Sequence, residues 1–164
     1  MEKESETDYN INQIFEDALK DPSLFSTIDI DNLLNSIETD KNDYLDTKTD
    51  QSIIDEIYEQ ITGQISDKDI TEELCKKLGG YRYVDEINEL HKGKHVRWIR
   101  NGSDRLTCGG IVVDIKFLDN GIQVLCKNSM NRFIQYKFDD CITFQKLTLD
   151  EQVILMAYKY TLDN

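Results

Sequence analysis

The hydrophobic pattern of this sequence changes its period near residue 94. Upstream of that point apolar residues recur at helical spacing, whereas downstream they alternate with polar ones, as in the segment HVRWIR. The alternating part predicts five short strands: 95–100, 107–118, 122–127, 132–138 and 141–145. A meander of this size closes most economically into a small, strongly bent barrel, because closure removes exposed strand edges.

Turn residues separate the predicted strands. Asn101-Gly102 and Asn120-Gly121 are typical turn signals, and the pair Gly109-Gly110 opens the second strand. Alternation predicts that one side of the second strand carries Ile111, Val113, Ile115 and Phe117. On the third strand it predicts a shared side for Ile122, Val124 and Cys126.

Helices are predicted before the strands. An apolar stripe at helical spacing follows Asp50: Ile53, Ile54, Ile57, Tyr58 and Ile61. Ser66 with Asp69 predicts the start of a second helix, and Gly79-Gly80 predicts its end. A third, shorter helix is predicted from the spacing of Tyr83, Val84, Ile87 and Leu90.

The last predicted element is a carboxy-terminal helix over 149–160. Thr148 and Glu151 have the spacing of a capping box, in which each side chain bonds the other residue's backbone N–H. We expect this helix to close one end of the barrel. The predicted class is therefore α+β, in three parts: an acidic helical segment at 1–50, a helical region at 51–92, and the barrel with its closing helix at 93–164.

Charge divides the chain in the same way. Residues 1–80 contain 21 acidic and 7 basic side chains, whereas residues 91–137 contain nine basic and three acidic ones. The formal net charge of the whole chain is -13, which disfavours non-specific binding of nucleic acid or acidic membranes by the chain as a whole. The amino terminus is polar, and no apolar stretch is long enough to span a bilayer, so we expect an intracellular protein that does not enter membranes.

The acidic segment at 1–50 also carries amphipathic apolar clusters. Segments of this kind can fold onto a partner as a helix in a groove, and the candidate partner-binding residues are Phe15, Leu19, Leu24, Phe25, Leu33 and Leu34. The alternative is that these helices pack on residues 53–78 as an intramolecular layer. The sequence leaves both readings open.

The predicted barrel resembles known small folds. Its five-strand order, its Gly-Gly entry at 109–110 and its Asn-Gly hairpin resemble the SH3-like barrels, a group that includes the Tudor and Sm-like modules, over roughly 94–146. The stretch KHVRWIRNGSDRLTCGGIVVDIKF also resembles uncharacterised small proteins of large DNA viruses. The first resemblance implies a fold without a function, and the second implies a viral setting without an assigned activity.

Basic residues on the predicted barrel are candidates for nucleic-acid binding: Lys94, Arg97, Arg100, Arg105, Arg132 and Lys137. Gathered on one face, they can follow phosphates while an aromatic residue stacks on bases. The alternative, which we favour, is a solvated barrel exterior with mixed charge.

An aromatic cage for a methylated Lys or Arg is a further hypothesis, with Tyr81, Tyr83, Trp98, Phe117 and Tyr136 as candidates. The favoured alternative places Trp98 and Phe117 in the barrel core, because both alternate with charged neighbours.

Catalytic and metal chemistry have little support in the sequence. The four cysteines are widely spaced, which disfavours a zinc site and predicts reduced core thiols: Cys75, Cys108, Cys126 and Cys141. Cys108 with His91 or His95 is the single candidate for a nucleophile and its base, and we consider it a chance combination. We therefore predict no metal, no cofactor and no enzymatic activity. The predicted function is a non-catalytic protein–protein interaction or assembly protein, with a nucleic-acid-associated regulator as the alternative.

Overall fold

The computed structural model describes residues 44–46 and 48–163. These residues belong to two compact units, of which one is Asp50–Leu147 and the other includes residues 148–163. The candidate partner-binding residues Phe15, Leu19, Leu24, Phe25, Leu33 and Leu34 lie outside the described residues. Within the described part, no helix combines the length and the apolar character that crossing a bilayer requires.

Helix α1 is Asp50–Thr62, and it confirms part of the predicted apolar stripe. Ile53, Ile57 and Ile61 are buried at a spacing of four residues. Ile54 and Tyr58 also belong to the predicted stripe, but they are exposed by 55% and 47%. The buried stripe is therefore one row of side chains wide, and α1 lies against the first strand of the sheet.

Helix α2 is Lys68–Lys77, and it begins later than the Ser66–Asp69 pair predicts. The N-cap is Asp67, whose Oδ1 accepts hydrogen bonds from the backbone N–H groups of Asp69 (2.9 Å) and Ile70 (3.3 Å). A carboxylate at this position satisfies otherwise unpaired N–H groups and also interacts favourably with the helix dipole.

An antiparallel sheet of six strands follows the helices: β1 Tyr81–Val84, β2 His95–Arg100, β3 Gly110–Leu118, β4 Gly121–Lys127, β5 Phe133–Lys137 and β6 Cys141–Lys146. Hydrogen-bonded neighbours follow the order β1-β6-β2-β3-β4-β5. The α+β class is therefore confirmed, and the five predicted strands are all present. The closed five-strand barrel is not confirmed, because the described sheet has six strands and its order is open at β1 and β5.

Strand β1 replaces the helix that the sequence predicts over 83–90, so that prediction is wrong. β1 pairs with β6 from Tyr81↔Lys146 to Val84↔Thr143, and a short 3₁₀ turn, Ile87–Glu89, follows. The apolar spacing fits a helix locally, but a partner strand more than fifty residues away pairs with residues 81–84 and holds the start of the segment extended. Periodicity alone does not reveal such a partner.

A β-bulge in β3 changes which side chains face the core. Val112 pairs with Cys126 and Asp114 pairs with Leu125, so Val113 is an extra residue between two paired ones. Val112 is buried, whereas Val113 is exposed by 42%.

The prediction that Ile111, Val113, Ile115 and Phe117 share one apolar side is therefore wrong. Ile111 and Phe117 are exposed, by 48% and 71%, whereas Ile115, which follows the bulge, packs partly against the core. In β4 the prediction is confirmed for Val124 and Cys126, which are fully buried.

The inner core lies on the concave side of the sheet. Its buried members are Val84, Leu90, Val96, Trp98, Val112, Val124, Cys126 and Tyr136. Trp98 on β2 stacks on Tyr136 on β5, although β3 and β4 separate these strands in the sheet. The sheet is therefore strongly curled.

Gly109 and Gly110 have a steric role at the entry to β3. Gly109 has φ +72°, and a Cβ there would lie 1.8 Å from the carbonyl oxygen of Val96. A Cβ on Gly110 would lie 2.6 Å from the carbonyl oxygen of Lys127. The glycine pair therefore permits β3 to approach both of its neighbours closely at this corner.

The predicted β3–β4 hairpin is present with its loop shifted by one residue. Leu118 pairs with Gly121, so the loop residues are Asp119 and Asn120. Gly121 has φ +126°, and a Cβ there would lie 2.7 Å from Asp139 Oδ2, so the carboxylate would have to move.

Helix α3, Leu149–Asp163, belongs to the second unit and confirms the predicted carboxy-terminal helix. Its capping box is complete: the Thr148 N–H donates to Glu151 Oε1 (3.0 Å), and the Glu151 N–H donates to Thr148 Oγ1 (3.1 Å). The other carboxylate oxygen of Glu151 accepts a hydrogen bond of 2.6 Å from the Tyr44 hydroxyl.

Candidate functional site

Two adjoining clefts open where the curled sheet brings the end of β2 close to β5. Their volumes are about 570 Å³ and about 610 Å³, and both are lined by Arg100 of β2 and Gln135 of β5. We call these two clefts together the seam. Lys137, Asp140 and Cys141 line the first cleft, whereas Arg105 and Cys108 line the second.

The loop between β2 and β3 forms one wall of the seam, and hydrogen bonds hold it against β2. The Thr107 N–H donates to the Trp98 carbonyl (3.0 Å), and the Trp98 N–H donates to Thr107 Oγ1 (3.1 Å). From the helical side, Gln64 Nε2 donates to the carbonyl oxygens of Arg100 and Ser103, each at 2.7 Å. The wall is therefore a fixed part of the fold.

The opposite wall is strand β5, which lies at the edge of the sheet. β5 pairs with β4 from Phe133↔Lys127 to Lys137↔Gln123, and the described sheet gives it no second neighbour. Backbone groups on the other side of an edge strand are available to another extended chain. The seam therefore combines a strand edge with a cleft.

The structure brings three of the six predicted basic residues to the seam. Arg100 and Arg105 are exposed and Lys137 is half-buried, and each lines at least one cleft. Lys94 and Arg132 are exposed but line neither cleft. The six residues therefore do not form one patch.

Arg97 has a structural role instead. Its Nε donates to the Thr107 carbonyl (2.8 Å), and its Nη1 lies 3.5 Å from the Lys77 carbonyl. The guanidinium therefore joins the loop before β3 to the end of α2, on the side of β2 opposite Trp98.

Burial governs the ionisation of groups around the seam. Burial raises the pKa of the Cys141 thiol, an effect that nearby Arg100 partly offsets and Asp140 increases. Burial also raises the pKa of the Tyr136 phenol, although a hydrogen bond from the Thr143 hydroxyl (3.1 Å) opposes this shift. Both groups are therefore neutral at physiological pH, and arginine and lysine dominate the charge of the clefts.

The aromatic-cage hypothesis does not fit the geometry. Trp98 and Tyr136 are each 5% exposed and stack on one another, so neither ring presents an open face. Tyr83 contacts the buried Phe144, and Tyr81 contacts His95. The prediction of a core position is confirmed for Trp98 and wrong for Phe117, which is exposed by 71%.

His95 and Cys126 both have surroundings that shift their ionisation. The Tyr81 hydroxyl lies 2.9 Å from Nδ1 of His95, and burial, assisted by Arg97 and Lys146, lowers the pKa of this histidine. Burial raises the pKa of Cys126 to about 12.

The part of the chain that the structure describes contains no group of three His, Cys, Asp or Glu side chains arranged to hold a metal ion. The absence of catalysis, metals and cofactors stays a prediction.

No protein-family model matches this chain, and no curated protein or solved structure shows significant similarity to it. The resemblances to SH3-like barrels and to small viral proteins therefore stay predictions.

The seam as a whole was not predicted from the sequence. Its basic residues were candidates, but their position across from the β5 edge depends on the curl of the sheet. Segment 132–138 has one signal that is typical of an edge strand: it is short and carries two basic residues, Arg132 and Lys137.

Proposed function

We propose that the protein is a non-catalytic interaction or assembly protein, and that the seam binds an extended acidic segment of a partner protein. The observation that carries this proposal is the position of the β5 edge opposite Arg100, with Arg105 and Lys137 lining the same clefts. An extended peptide that adds to β5 gains main-chain hydrogen bonds. The basic side chains then select for carboxylates.

The charge balance of the clefts supports a polypeptide ligand with few carboxylates. The first cleft has Arg100 and Lys137 against Asp140, and the second has Arg100 and Arg105. A few acidic side chains satisfy these cations. The phosphate backbone of a long nucleic acid would be repelled by the rest of a chain whose net charge is -13.

Two predictions from the sequence form part of this proposal: the role of the acidic segment and the kinship of the sheet with small barrels. The acidic amphipathic segment at 1–50 serves as a second partner-binding element, and the curled sheet is an open variant of an SH3-like barrel. The curl of the strands over Trp98 and Tyr136 and the bulge at Val113 support a barrel-like bend. An intracellular setting, expected from the polar amino terminus, and a viral origin, expected from the sequence resemblance, complete the proposal.

A nucleic-acid-associated regulator is the second candidate, and the convergence of Arg100, Arg105 and Lys137 on the seam favours it. Single-stranded nucleic acid usually binds through stacking on open aromatic faces as well as through cations. Trp98 and Tyr136 are buried against each other, so the seam offers cations but not the open faces of these two rings. We therefore rank the acidic polypeptide first.

A binding experiment with two probes separates the candidates. The full-length protein is titrated with a fluorescent peptide of alternating Val and Glu and with a fluorescent oligothymidylate, each at rising salt. The test variant is Arg100→Glu with Arg105→Glu. The matched control is Lys94→Glu with Arg132→Glu, which changes the charge equally but outside both clefts.

We expect peptide binding that the seam variant weakens about tenfold or more and that the control variant retains. Tighter binding of the oligonucleotide, with a steep salt dependence and the same variant sensitivity, would favour the regulator. Equal weakening by both variants would show that general charge, not the seam, binds the probe.

A further inference from the structure

A second surface lies on the outer side of strands β3, β4 and β5, opposite the inner core. Phe133, Lys127 and Ile111 form one row across the three strands by Cα pairing. Leu125 belongs to the same side, because it alternates with the core residues on either side of it in β4. Val113 and Asp114 form the bulge. Because Val112 before them and Ile115 after them both pack inward, Val113 also belongs to the outer side.

These apolar side chains are unusually accessible. Phe133 is exposed by 63%, Ile111 by 48% and Val113 by 42%, and Leu125 is half-buried between them. We call Ile111, Val113, Leu125 and Phe133 the outer strip. Neighbouring strands lie ~4.8 Å apart, so the strip extends ~10 Å across the sheet, with Lys127 between Ile111 and Phe133 in one row and Leu125 in the next row. Exposed apolar patches bordered by polar residues commonly mark interaction sites.

Lysines outnumber carboxylates in the rows of the outer strip. Lys127 Nζ lies 5.8 Å from the centre of the Phe133 ring, and Lys116 is exposed in a neighbouring row of the same side. The carboxylate in these paired rows belongs to Asp114, which already forms a 3.3 Å ion pair with Lys92. The rows that contain the strip therefore carry Lys116 and Lys127 against one carboxylate, Asp114, which interacts with Lys92 as well as with Lys116.

We propose that the outer strip docks an acidic amphipathic helix of a partner protein. The backbone groups of β4, at the centre of the strip, are paired on both sides with β3 and β5, so an extended peptide gains no main-chain hydrogen bonds there. A helix satisfies its own backbone, and two of its turns span ~11 Å, which matches the strip. Acidic residues beside the apolar stripe of that helix meet Lys116 and Lys127.

This surface is separate from the seam in both residues and chemistry. Neither cleft is lined by a member of the outer strip. The seam presents a strand edge for an extended chain, whereas the strip presents a side-chain surface for a helix. The two proposals therefore succeed or fail independently, and substitutions at Phe133 and at Arg100 distinguish them.

The experiment uses the full-length protein and a designed peptide helix with Leu at positions i, i+3, i+4 and i+7 and Glu on both flanks. Affinity is measured by fluorescence anisotropy, and the contact surface is mapped by amide chemical shifts. The test variant is Phe133→Ser. The matched control is Phe117→Ser, which removes a similarly exposed phenylalanine from the far end of β3.

We expect Phe133→Ser to weaken binding about tenfold and Phe117→Ser to change it less than about twofold. Lys127→Glu is expected to weaken binding as well, and a peptide with Lys in place of Glu is expected not to bind. Thermal unfolding confirms that the variants remain folded, since all three positions are exposed.

Three results would overturn the proposal. The first is equal weakening by Phe133→Ser and Phe117→Ser, and the second is equal binding of the Lys-substituted peptide. The third is concentration-dependent self-association in sedimentation that Phe133→Ser abolishes. That outcome would assign the strip to a second copy of this chain instead of a partner helix.

Discussion

The indole ring of Trp98 stacks on the phenol ring of Tyr136, with the ring centroids 4.1 Å apart and the planes inclined by 16°. Trp98 lies on β2 and Tyr136 on β5, three positions apart in the order of the sheet. In a flat sheet three strand spacings amount to ~14 Å. The contact therefore requires the sheet to curl, and this ring pair fixes how closely β5 approaches β2 at the seam.

Tyr136 is expected to stabilise the fold mainly through its ring. Tyr136→Ala removes the stacking partner of Trp98 and leaves a cavity, which should lower the free energy of unfolding by about 3–5 kcal/mol. Tyr136→Phe keeps the ring and removes the acceptor of the Thr143 hydroxyl, at a cost of about 1 kcal/mol. Urea denaturation measures both values. Similar losses for the two variants would show that the stack contributes little.

The corner at Gly109 is expected to be intolerant of a side chain. Gly109→Ala combines a positive φ with a direct clash against the Val96 carbonyl, and we expect it to lower the free energy of unfolding by at least about 3 kcal/mol. Gly102 is a matched control, because its φ is +82° but a Cβ there meets no atom within 4 Å. Gly102→Ala should cost about 1 kcal/mol. The same denaturation measurement distinguishes clash from backbone strain, and equal losses would contradict the close approach at Gly109.

The capping box of α3 is expected to contribute measurable stability. Thr148→Ala removes the hydroxyl that accepts from the Glu151 N–H, and the loss should be about 1 kcal/mol. Thr148→Ser retains the hydroxyl and should be close to the parent protein. Thermal unfolding followed by circular dichroism provides the comparison. If Thr148→Ser and Thr148→Ala are equally destabilising, the loss of the capping hydroxyl is not what lowers the stability.

Stability is expected to fall at alkaline pH because a buried thiol and a buried phenol keep their protons in the folded state. The thiol of Cys126 has its pKa raised from 9.0 to about 12 by burial, so between these values the folded state keeps a proton that the unfolded state loses. The free energy of unfolding therefore decreases as pH rises from 9, by at most about 1.4 kcal/mol per pH unit. Burial raises the pKa of Tyr136 as well, which adds to the loss above pH 10.0.

Cys126→Ala is expected to reduce this alkaline loss, even though it lowers stability at neutral pH by leaving a cavity. Cys108→Ala, which removes an exposed thiol, is the control and should keep the alkaline loss. Denaturation curves at pH 8, 9 and 10.5 give the slope directly. An unchanged slope in Cys126→Ala would rule out this thiol as the group responsible.

The sequence predicted those elements whose pattern is local. HVRWIR alternates, and Val96 and Trp98 are indeed core residues on one side of β2. Thr148 and Glu151 specify their cap through a spacing of three residues, which the structure confirms. In both cases the information lies within a few residues of the chain.

The errors arose where a distant partner or one added residue decides the outcome. β1 was mistaken for a helix because its partner, β6, lies sixty residues further along the chain. The apolar side chains of β3 were predicted to share one side, but the bulge at Val113 interrupts the period of two and divides them. The seam requires the curl that joins Trp98 to Tyr136, and no local pattern encodes that contact.

The β2–β3 ladder has a mechanical consequence. The strands β1, β6 and β2 form one half of the sheet and β3, β4 and β5 the other, and the paired residues joining the halves are His95↔Ile111 and Val96↔Gly110. This short joint lies at the start of β2, whereas Arg100 lies at its end, ~16 Å away at ~3.3 Å per residue. At the seam end the two halves are tied again, by the stack of Trp98 on Tyr136 and by the hydrogen bond from the Thr143 hydroxyl to the Tyr136 hydroxyl. The aperture offered to a ligand is thus set by two ties, of which the backbone joint at His95 and Val96 is one that the ligand does not touch.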